Sequence, residues 1–426
     1  MQKIKDKFRF DLKFFLFIAF FYSTIFFGFF LNEDNLGGAK WDFDYHFNIS
    51  KQFSINFLDT FYKFGNEEYS GMATRNSPVF WAFLSIFIDH FSYDQIRLLN
   101  TFVILLSTLT FYKCLKIKFN EEKNIYIALL STLLIISPSF RSLAIWPYSL
   151  SWGLYFFILS IYFYLKYESS LNFLRSFLIL LFTVIAAYIY PSFSVFFLYF
   201  LFKIIENFKN KKIIFLLILI FLFFLIPAIY YVFAKDALSA FQNAQGLDKK
   251  INLTESFNIA NKILIISTIF FYLILPFLNF NRLLKDFKRN SLIQLLSIFF
   301  LWAISVYYFN FPHSVFGGGF FHKLSNIFFG NNYLFFFSSL ISLIIIFSLV
   351  KKNFNNLFIF ILLLFYNPQL TIYIKYFDPL VIILFLFLIE KNLNFKKYFF
   401  EKKYKYIQLY GTYIFYYIVI YLKNYF

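Results

Sequence analysis

The sequence predicts an all-α, polytopic integral membrane protein, and three observations lead to that prediction. The 426 residues are 60% hydrophobic and only 15% charged, whereas about a quarter of the residues of a soluble domain are charged. Long apolar runs recur along the chain, and Lys and Arg cluster in the polar segments between them. Phe and Tyr are abundant while Gly and Pro are scarce, which excludes disordered and fibrous chains. We therefore expect one transmembrane domain over residues 1–426.

The first apolar run follows a basic N-terminus. Lys3, Lys5, Lys7 and Arg9 precede the run 14–31, which is long enough to cross about 30 Å of hydrocarbon. The pattern resembles a signal peptide, but no small-residue cleavage site directly follows the run. We interpret it as an uncleaved first transmembrane helix with the N-terminus in the cytoplasm.

Further apolar runs bring the predicted total to about twelve or thirteen transmembrane helices. The expected spans after the first are 98–115, 125–136, 148–165, 173–189, 192–205, 213–233, 263–280, 292–309, 334–350, 357–365, 380–389 and, as a thirteenth, 407–422. The segment 78–88 is shorter than the roughly 17 residues that a span requires, so we expect an interfacial helix there.

This assignment places the polybasic segments on the cytoplasmic side, as the positive-inside rule requires. The net charge of +18 then reflects membrane topology, and no nucleic-acid partner is expected. The expected location is the bacterial inner (cytoplasmic) membrane, with membrane lipids as partners. The longest segment on the other side is 32–97, the first extracytoplasmic loop, and we expect the functional site and its interfacial helices there.

Candidate catalytic residues follow the first helix directly. Asp42, Asp44 and His46 alternate with Trp41, Phe43 and Tyr45. A carboxylate that aromatic rings partly shield loses water and becomes more basic, so either acid could serve as a general base. The other acidic residues of the loop are expected only to keep it solvated, namely Glu33, Asp34, Glu67 and Glu68.

Three cations on the same side are candidate phosphate ligands. Arg75 precedes Ser77-Pro78, a typical helix start whose free amides and dipole attract anions. Arg141 lies in a Ser-Pro turn, and Lys375 lies in the polar passage 367–377. The alternatives are an interfacial anchor for Arg75 and a surface ion pair between Lys375 and Asp378.

A glycine-rich loop supplies two further candidates. His322 and Lys323 follow Gly317-Gly318-Gly319, and we expect them to contact a substrate head group. His313 lies nine residues before His322 with no carboxylate between them, which is weak support for a metal site. We assign no metal ligand and no required cofactor, and leave a divalent metal open. Cys114 is the only cysteine, which excludes an intramolecular disulfide.

These motifs together resemble the GT-C superfamily of polytopic glycosyltransferases. They are distantly similar to the dolichyl-phosphate-glucose-dependent α-1,2-glucosyltransferases over 42–46, 74–80, 97–100 and 376–379. The resemblance implies that a sugar moves from a polyprenyl-phosphate donor to a glycan, lipid or protein acceptor on the extracytoplasmic face, with inversion. It maps the catalytic acid to Asp42, with Asp44 close behind. The eukaryotic pattern has Asp-Glu where this chain has Asp42-Phe43, so the base is left open between the two acids.

Two other functions remain open from the sequence. A polysaccharide polymerase or ligase would depend on Arg and His in a late outer loop, here represented by His313 and His322. A transporter or flippase of a lipid-linked sugar would carry out no covalent chemistry, and it would be expected to bury charged residues in the middle of its spans.

Overall fold

The computed structural model describes residues 12–35, 38–64, 77–207, 211–234, 258–279, 281, 285, 292–311, 317–351, 353–369, 371–390 and 399–425. Within these ranges the protein is helical and contains no β-strand. The fold class predicted from the sequence, all-α, is therefore confirmed. The basic N-terminal residues and Arg75 lie outside the described residues, as does His313.

The first half of the chain forms helices α1 to α13. Their bounds are α1 Leu12–Phe30, α2 Ala39–Ile55, α3 Phe57–Lys63, α4 Pro78–Ile88, α5 Tyr93–Asn100, α6 Phe102–Lys118, α7 Asn124–Ser131, α8 Leu133–Ile136, α9 Pro138–Ile145, α10 Ser149–Ser169, α11 Phe173–Ile189, α12 Ser194–Asn207 and α13 Lys211–Ala234.

The second half continues with α14 to α20. Their bounds are α14 Ile259–Ile274, α15 Leu292–Tyr307, α16 Gly319–Phe329, α17 Tyr333–Val350, α18 Phe354–Tyr366, α19 Leu380–Phe387 and α20 Tyr404–Tyr425, with 3-10 turns at Pro191–Phe193, Leu275–Phe277 and Ile374–Tyr376. The short helix predicted over 78–88 has those bounds as α4, and the Ser77 hydroxyl accepts from the Val79 amide at 3.3 Å.

Several helices have the length and composition of membrane spans. Among the described residues, four helical stretches qualify: Tyr93–Lys118, which comprises α5 and α6; Lys211–Tyr230, within α13; Ile259–Phe277, which comprises α14 and the 3-10 turn after it; and Tyr333–Val350, which is α17. A bent pair over 124–145 would be a fifth. Over the described residues the chain is thus all-helical, with several helices long and apolar enough to cross a membrane. Length and composition select fewer helices than the sequence predicted, because several expected spans form shorter helices such as α15 and α18. The larger number and the cytoplasmic N-terminus stay predictions.

The bent pair owes its break to two residues. Helix α8 ends before Ser137, and α9 starts at Pro138 in a direction that differs by 60°. Proline lacks an amide proton and suits the first position of a helix. The Ser137 hydroxyl accepts from the Phe140 amide at 3.1 Å and caps α9. The break directs α9, and with it Arg141, toward the segment that follows α1.

Apolar surface outside the bundle identifies the faces that lipid would cover. Along α13, Phe223 is 71% exposed and Ile226 is 58% exposed. Along α15, Ile293 and Phe300 are similarly exposed. A soluble protein rarely exposes contiguous apolar surface on this scale, so we expect α13 and α15 to face the hydrocarbon.

The functional region forms where the first and last parts of the chain meet. Helix α2 packs on α4, and α9 packs against α1, α5 and α6. The segment between α18 and α19 contacts α9 through its 3-10 turn, Ile374–Tyr376. Helix α2, in the loop after α1, thereby lies next to the turn Ile374–Tyr376, more than three hundred positions later in the chain.

A charge placed on the exposed face of α13 tests the lipid contact. We expect Phe223→Lys to reduce the amount of protein in the membrane fraction and its thermal unfolding midpoint in detergent, because a Lys in the middle of a span is unfavourable by about 2.5–3.5 kcal/mol. The apolar control Phe223→Leu should leave both measurements unchanged. Equal behaviour of the two variants would mean that this face does not contact hydrocarbon.

Candidate functional site

The start of α2 is held by an acidic residue that precedes it. The Asp34 carboxylate accepts from the amides of Ala39 at 3.2 Å and Lys40 at 3.1 Å. These are amides of the first helical turn, which have no partner within the helix. Asp42 lies in that same turn, where the helix dipole favours a negative charge. The capping contact therefore fixes the direction in which α2, and its Asp42, begins.

The Asp42 carboxylate contacts the ammonium of Lys375, 333 positions further along the chain. Lys375 Nζ donates to Asp42 Oδ2 at 3.1 Å. The side chains are 12% exposed for Lys375 and 23% for Asp42, so the pair is shielded but still open to a ligand. Burial opposes the charge of Lys375, but the Asp42 carboxylate outweighs it, and the pKa of Lys375 is raised above its ordinary value. Lys375 is therefore an ammonium at neutral pH.

Tyrosine rings surround the ammonium. The Lys375 Nζ atom lies 5.2 Å from the ring centroid of Tyr373, 5.5 Å from that of Tyr148 and 5.9 Å from that of Tyr376. Each distance is within the range of cation–π attraction, which supports a partly desolvated charge. We call Asp42, Lys375 and these three rings the Asp42–Lys375 site.

His46 lies beside this site as a buried, neutral imidazole. Its ring stacks on Trp81 of α4 with centroids 4.2 Å apart, and Nδ1–H donates to the Asp42 carbonyl oxygen at 2.7 Å. Its ring centroid is 6.2 Å from that of Tyr148. Burial lowers the pKa of His46 to about 4. His46 therefore orients the start of α2 and carries no charge at neutral pH.

Asp44 faces away from Lys375 and connects two helices. Its carboxylate accepts a short hydrogen bond from the Tyr93 hydroxyl at the start of α5. Phe43 lies between the two acids in sequence, and its ring packs 5.0 Å from the Tyr93 ring. Because each helical position is rotated by about 100° from the one before, side chains two positions apart lie on nearly opposite faces, and Asp42 and Asp44 point to different partners. The structure brings one of the two predicted acids to a cation.

Arg141 is engaged by an acidic residue that was expected only to solvate the loop. Its Nε donates to Glu33 Oε1 at 2.8 Å and its Nη2 donates to Oε2 at 2.6 Å. Nη1 and Nη2 also donate to the hydroxyl and carbonyl of Thr24. Both charged side chains are largely buried. That expectation for Glu33 is wrong, because a guanidinium buried between helices needs a carboxylate next to it.

Arg97 is the second buried guanidinium of the region. Its Nη1 donates to Asp94 at 2.8 Å and its Nη2 donates to Asn32 at 2.9 Å. The guanidinium carbon lies 3.6 Å from the Trp146 ring centroid. Trp146 in turn donates its indole N–H to the Glu33 carbonyl at 3.0 Å. These contacts connect α5 to the segment after α1.

The segment that carries Lys375 is anchored before the lysine. Lys262 Nζ donates to the carbonyls of Asn367 and, at 3.0 Å, of Gln369. The Gly318 amide donates to the Ile372 carbonyl at 3.0 Å. At Gly317, φ is +113° and an added Cβ would lie 2.8 Å from that same carbonyl, so glycine is required there.

Asp378 anchors the segment after the lysine. Its carboxylate is buried and accepts from the Ser137 hydroxyl at 2.7 Å and from the Tyr413 hydroxyl at 3.0 Å. The alternative surface pair of Lys375 with Asp378 is therefore wrong: Lys375 pairs with Asp42, and Asp378 points into the bundle.

The remaining candidates lie in two places. His322 is buried in α16 against the rings of Phe309, Phe311 and Phe335, and the neighbouring Lys323 is half-buried. The predicted contact of His322 and Lys323 with a substrate head group stays a prediction. The role proposed for Arg75 concerns a residue outside the described part of the chain.

No cluster of three or more His, Cys, Asp or Glu side chains suited to a metal ion occurs among the described residues. The chain matches no family model, no curated protein and no solved structure in the comparisons. The chemistry of the site is therefore argued from its own residues.

Two contributors to the site, Tyr148 and Trp81, were missed by the sequence analysis, and a third, Asp378, was considered only as a surface partner of Lys375. The Tyr148 ring lies 5.5 Å from the Lys375 ammonium, the Trp81 ring stacks on His46, and Asp378 holds the segment of Lys375. The only signals were a Pro-aromatic pattern at Trp81 and Tyr148 and an acid three positions after Lys375. Among so many aromatic residues, such signals do not single out particular rings.

A double-mutant cycle measures the ion pair. We expect Asp42→Asn and Lys375→Gln to show a coupling free energy of about 1–2 kcal/mol in the unfolding of the purified protein, because the pair is partly desolvated. The exposed pair of Asp59 and Lys63 in α3 is the matched control, with an expected coupling below about 0.5 kcal/mol. Equal coupling at the two pairs would contradict the shielding described above.

The burial of His46 predicts a pH effect on stability. The unfolded chain binds a proton at His46 near pH 6.5, but the folded chain binds it only near pH 4, so stability falls as the pH drops through this window. The full loss is about 3 kcal/mol. Thermal unfolding of His46→Gln between pH 7 and pH 4 should show a shallower decline than the parent protein. His90→Gln, at an exposed histidine, should keep the parent slope.

Proposed function

We propose that this protein is a membrane glycosyltransferase of the GT-C type. It moves a sugar from a polyprenyl-phosphate carrier to a glycan, lipid or protein acceptor on the extracytoplasmic face, in the biosynthesis of cell-envelope glycans. The observation that supports the proposal most is the contact of Asp42 with Lys375 at 3.1 Å, because it places an acid beside a cation in a shielded, aromatic surrounding. A transfer from a phosphate leaving group uses both kinds of charge.

Asp42 is the proposed base. It removes the proton of the acceptor hydroxyl as the acceptor oxygen bonds to the anomeric carbon of the sugar. The bond from that carbon to the phosphate oxygen breaks on the opposite side, and its electron pair leaves with the phosphate. The sugar carbon is inverted. Asp44 ranks second for this role, because its carboxylate is occupied by the Tyr93 hydroxyl.

Lys375 is the proposed partner of the phosphate. In the described state its ammonium holds Asp42, and its flexible four-carbon stem allows the charge to move toward an arriving anion. The negative charge that develops on the departing phosphate is then met by a preformed ammonium, which lowers the barrier. Arg141 would have to break its contact with Glu33 to bind the phosphate, so we rank it below Lys375 as a phosphate ligand. Arg75 remains a further proposed ligand.

Substitution of Asp42 is the decisive test. In membranes that contain the full chain and labelled polyprenyl-phosphate sugars, we expect Asp42→Asn to lower transfer to an acceptor by about 10²–10⁴-fold, the usual contribution of a general base. Asp59→Asn in α3 is the matched control on the same loop, at an exposed acid paired with Lys63, and should retain parent activity.

The Asp44 variant separates the two acids. We expect Asp44→Asn to lose less transfer than Asp42→Asn and to lower the unfolding free energy by about 0.5–1.5 kcal/mol, because a partly buried hydrogen bond to Tyr93 is weakened. Full activity in both variants and in the double variant removes the proposed mechanism. Movement of an intact lipid-linked sugar across vesicles would instead support a transporter, and loss of activity only in histidine variants would support a polymerase or ligase.

A further inference from the structure

Lys375 lies in a short turn and not in a long helix, so contacts outside the turn must fix its position. It consists of the 3-10 turn Ile374–Tyr376, followed by Phe377 and Asp378. The amides of Phe377 and Asp378 both donate to the Ile374 carbonyl at 2.9 Å. Lys375 and Asp378 thus belong to one compact hydrogen-bonded unit, and a force on Asp378 is transmitted to Lys375 over three residues.

The Asp378 side chain joins this unit to two other parts of the bundle. On one side it accepts from the Ser137 hydroxyl at 2.7 Å, at the break where α9 begins. On the other side it accepts from the Tyr413 hydroxyl at 3.0 Å, in the final helix, α20. A carboxylate buried in this way is favourable only where donors meet it, so both donors restrict its position.

We propose that Asp378 is the positioning residue of the Asp42–Lys375 site. Its hydrogen bonds to Ser137 and Tyr413 fix the position of the turn, and this position sets the distance between the Lys375 ammonium and the Asp42 carboxylate. That distance therefore depends on the positions of α9 and α20 in the bundle. The effect of Asp378 on catalysis rests on the proposed function. The positional consequence concerns only this chain and does not depend on any substrate.

Cross-linking measures the position without an assay of activity. In a Cys114→Ser background, cysteines in place of Asp42 and Lys375 report the separation of α2 and the turn through their rate of coupling by a short reagent that carries two maleimide groups, each of which adds one cysteine thiolate across its C=C bond. Cysteines in place of Asn32 and Arg97 form the control pair, since the native side chains are in contact at 2.9 Å and neither contacts Asp378.

Removal of one donor is the mild perturbation. We expect Tyr413→Phe to slow coupling of the 42/375 pair by about fivefold, the usual effect of one lost buried hydrogen bond, while the control pair stays within about twofold of its parent rate. Thr412→Val is the matched variant, because the Thr412 hydroxyl donates within its own helix, to the Gln408 carbonyl; it should change neither rate. Asp378→Asn should act in the same direction as Tyr413→Phe.

Three results would overturn the proposal. The first is an unchanged coupling rate of the 42/375 pair in Tyr413→Phe and Asp378→Asn. The second is an equal slowing of both cysteine pairs, which would indicate a general structural role. The third is a slowing by Thr412→Val as large as that by Tyr413→Phe. The catalytic consequence is tested separately in the cysteine-free parent. There Tyr413→Phe should lower kcat of sugar transfer about fivefold with little change in the acceptor KM. Slowed coupling without any sugar transfer would leave the positioning role standing while the proposed function fails.

Discussion

A charged group in a chain that lipid surrounds must have a partner, and this constraint organises the protein. The Asp42–Lys375 contact joins the loop after the first helix to a turn near the end of the chain. Glu33 and Arg141 connect the same loop to α9. In an apolar surrounding, each unpaired charge would be strongly unfavourable, so these pairs select the arrangement of helices in which acid and cation meet.

The two buried ion pairs differ in what they leave available. Arg141 makes four hydrogen bonds to Glu33 and Thr24, through Nε and both terminal nitrogens, an arrangement that is typical of a structural contact. Within the described part of the chain, Lys375 makes one hydrogen bond, to Asp42, and otherwise faces tyrosine rings. An ammonium has three protons to donate, and a flexible stem carries it. This difference, more than proximity to the loop, favours Lys375 over Arg141 as the proposed phosphate ligand.

Aromatic residues take a different role near the site from the one they have elsewhere. On α13 and α15, rings and aliphatic side chains face outward over large areas, as lipid contact requires. Around Lys375 the rings of Tyr148, Tyr373 and Tyr376 face a charge. Aromatic residues therefore form both the apolar outer surface expected to contact lipid and the shielded surrounding of a charge. Only the neighbours of each ring distinguish the two roles.

Fold class and most helix positions followed from the sequence, because apolar runs and the Ser-Pro start of α4 depend on neighbouring residues alone. The sequence also singled out Asp42 and Lys375 as separate candidates. Only the tertiary structure shows that these two side chains are in contact. It also shows that Asp44 accepts a hydrogen bond from Tyr93 and that Glu33 pairs with Arg141. No local pattern contains this information, since the partners are dozens to hundreds of residues apart, and which charges pair is settled by the packing of whole helices.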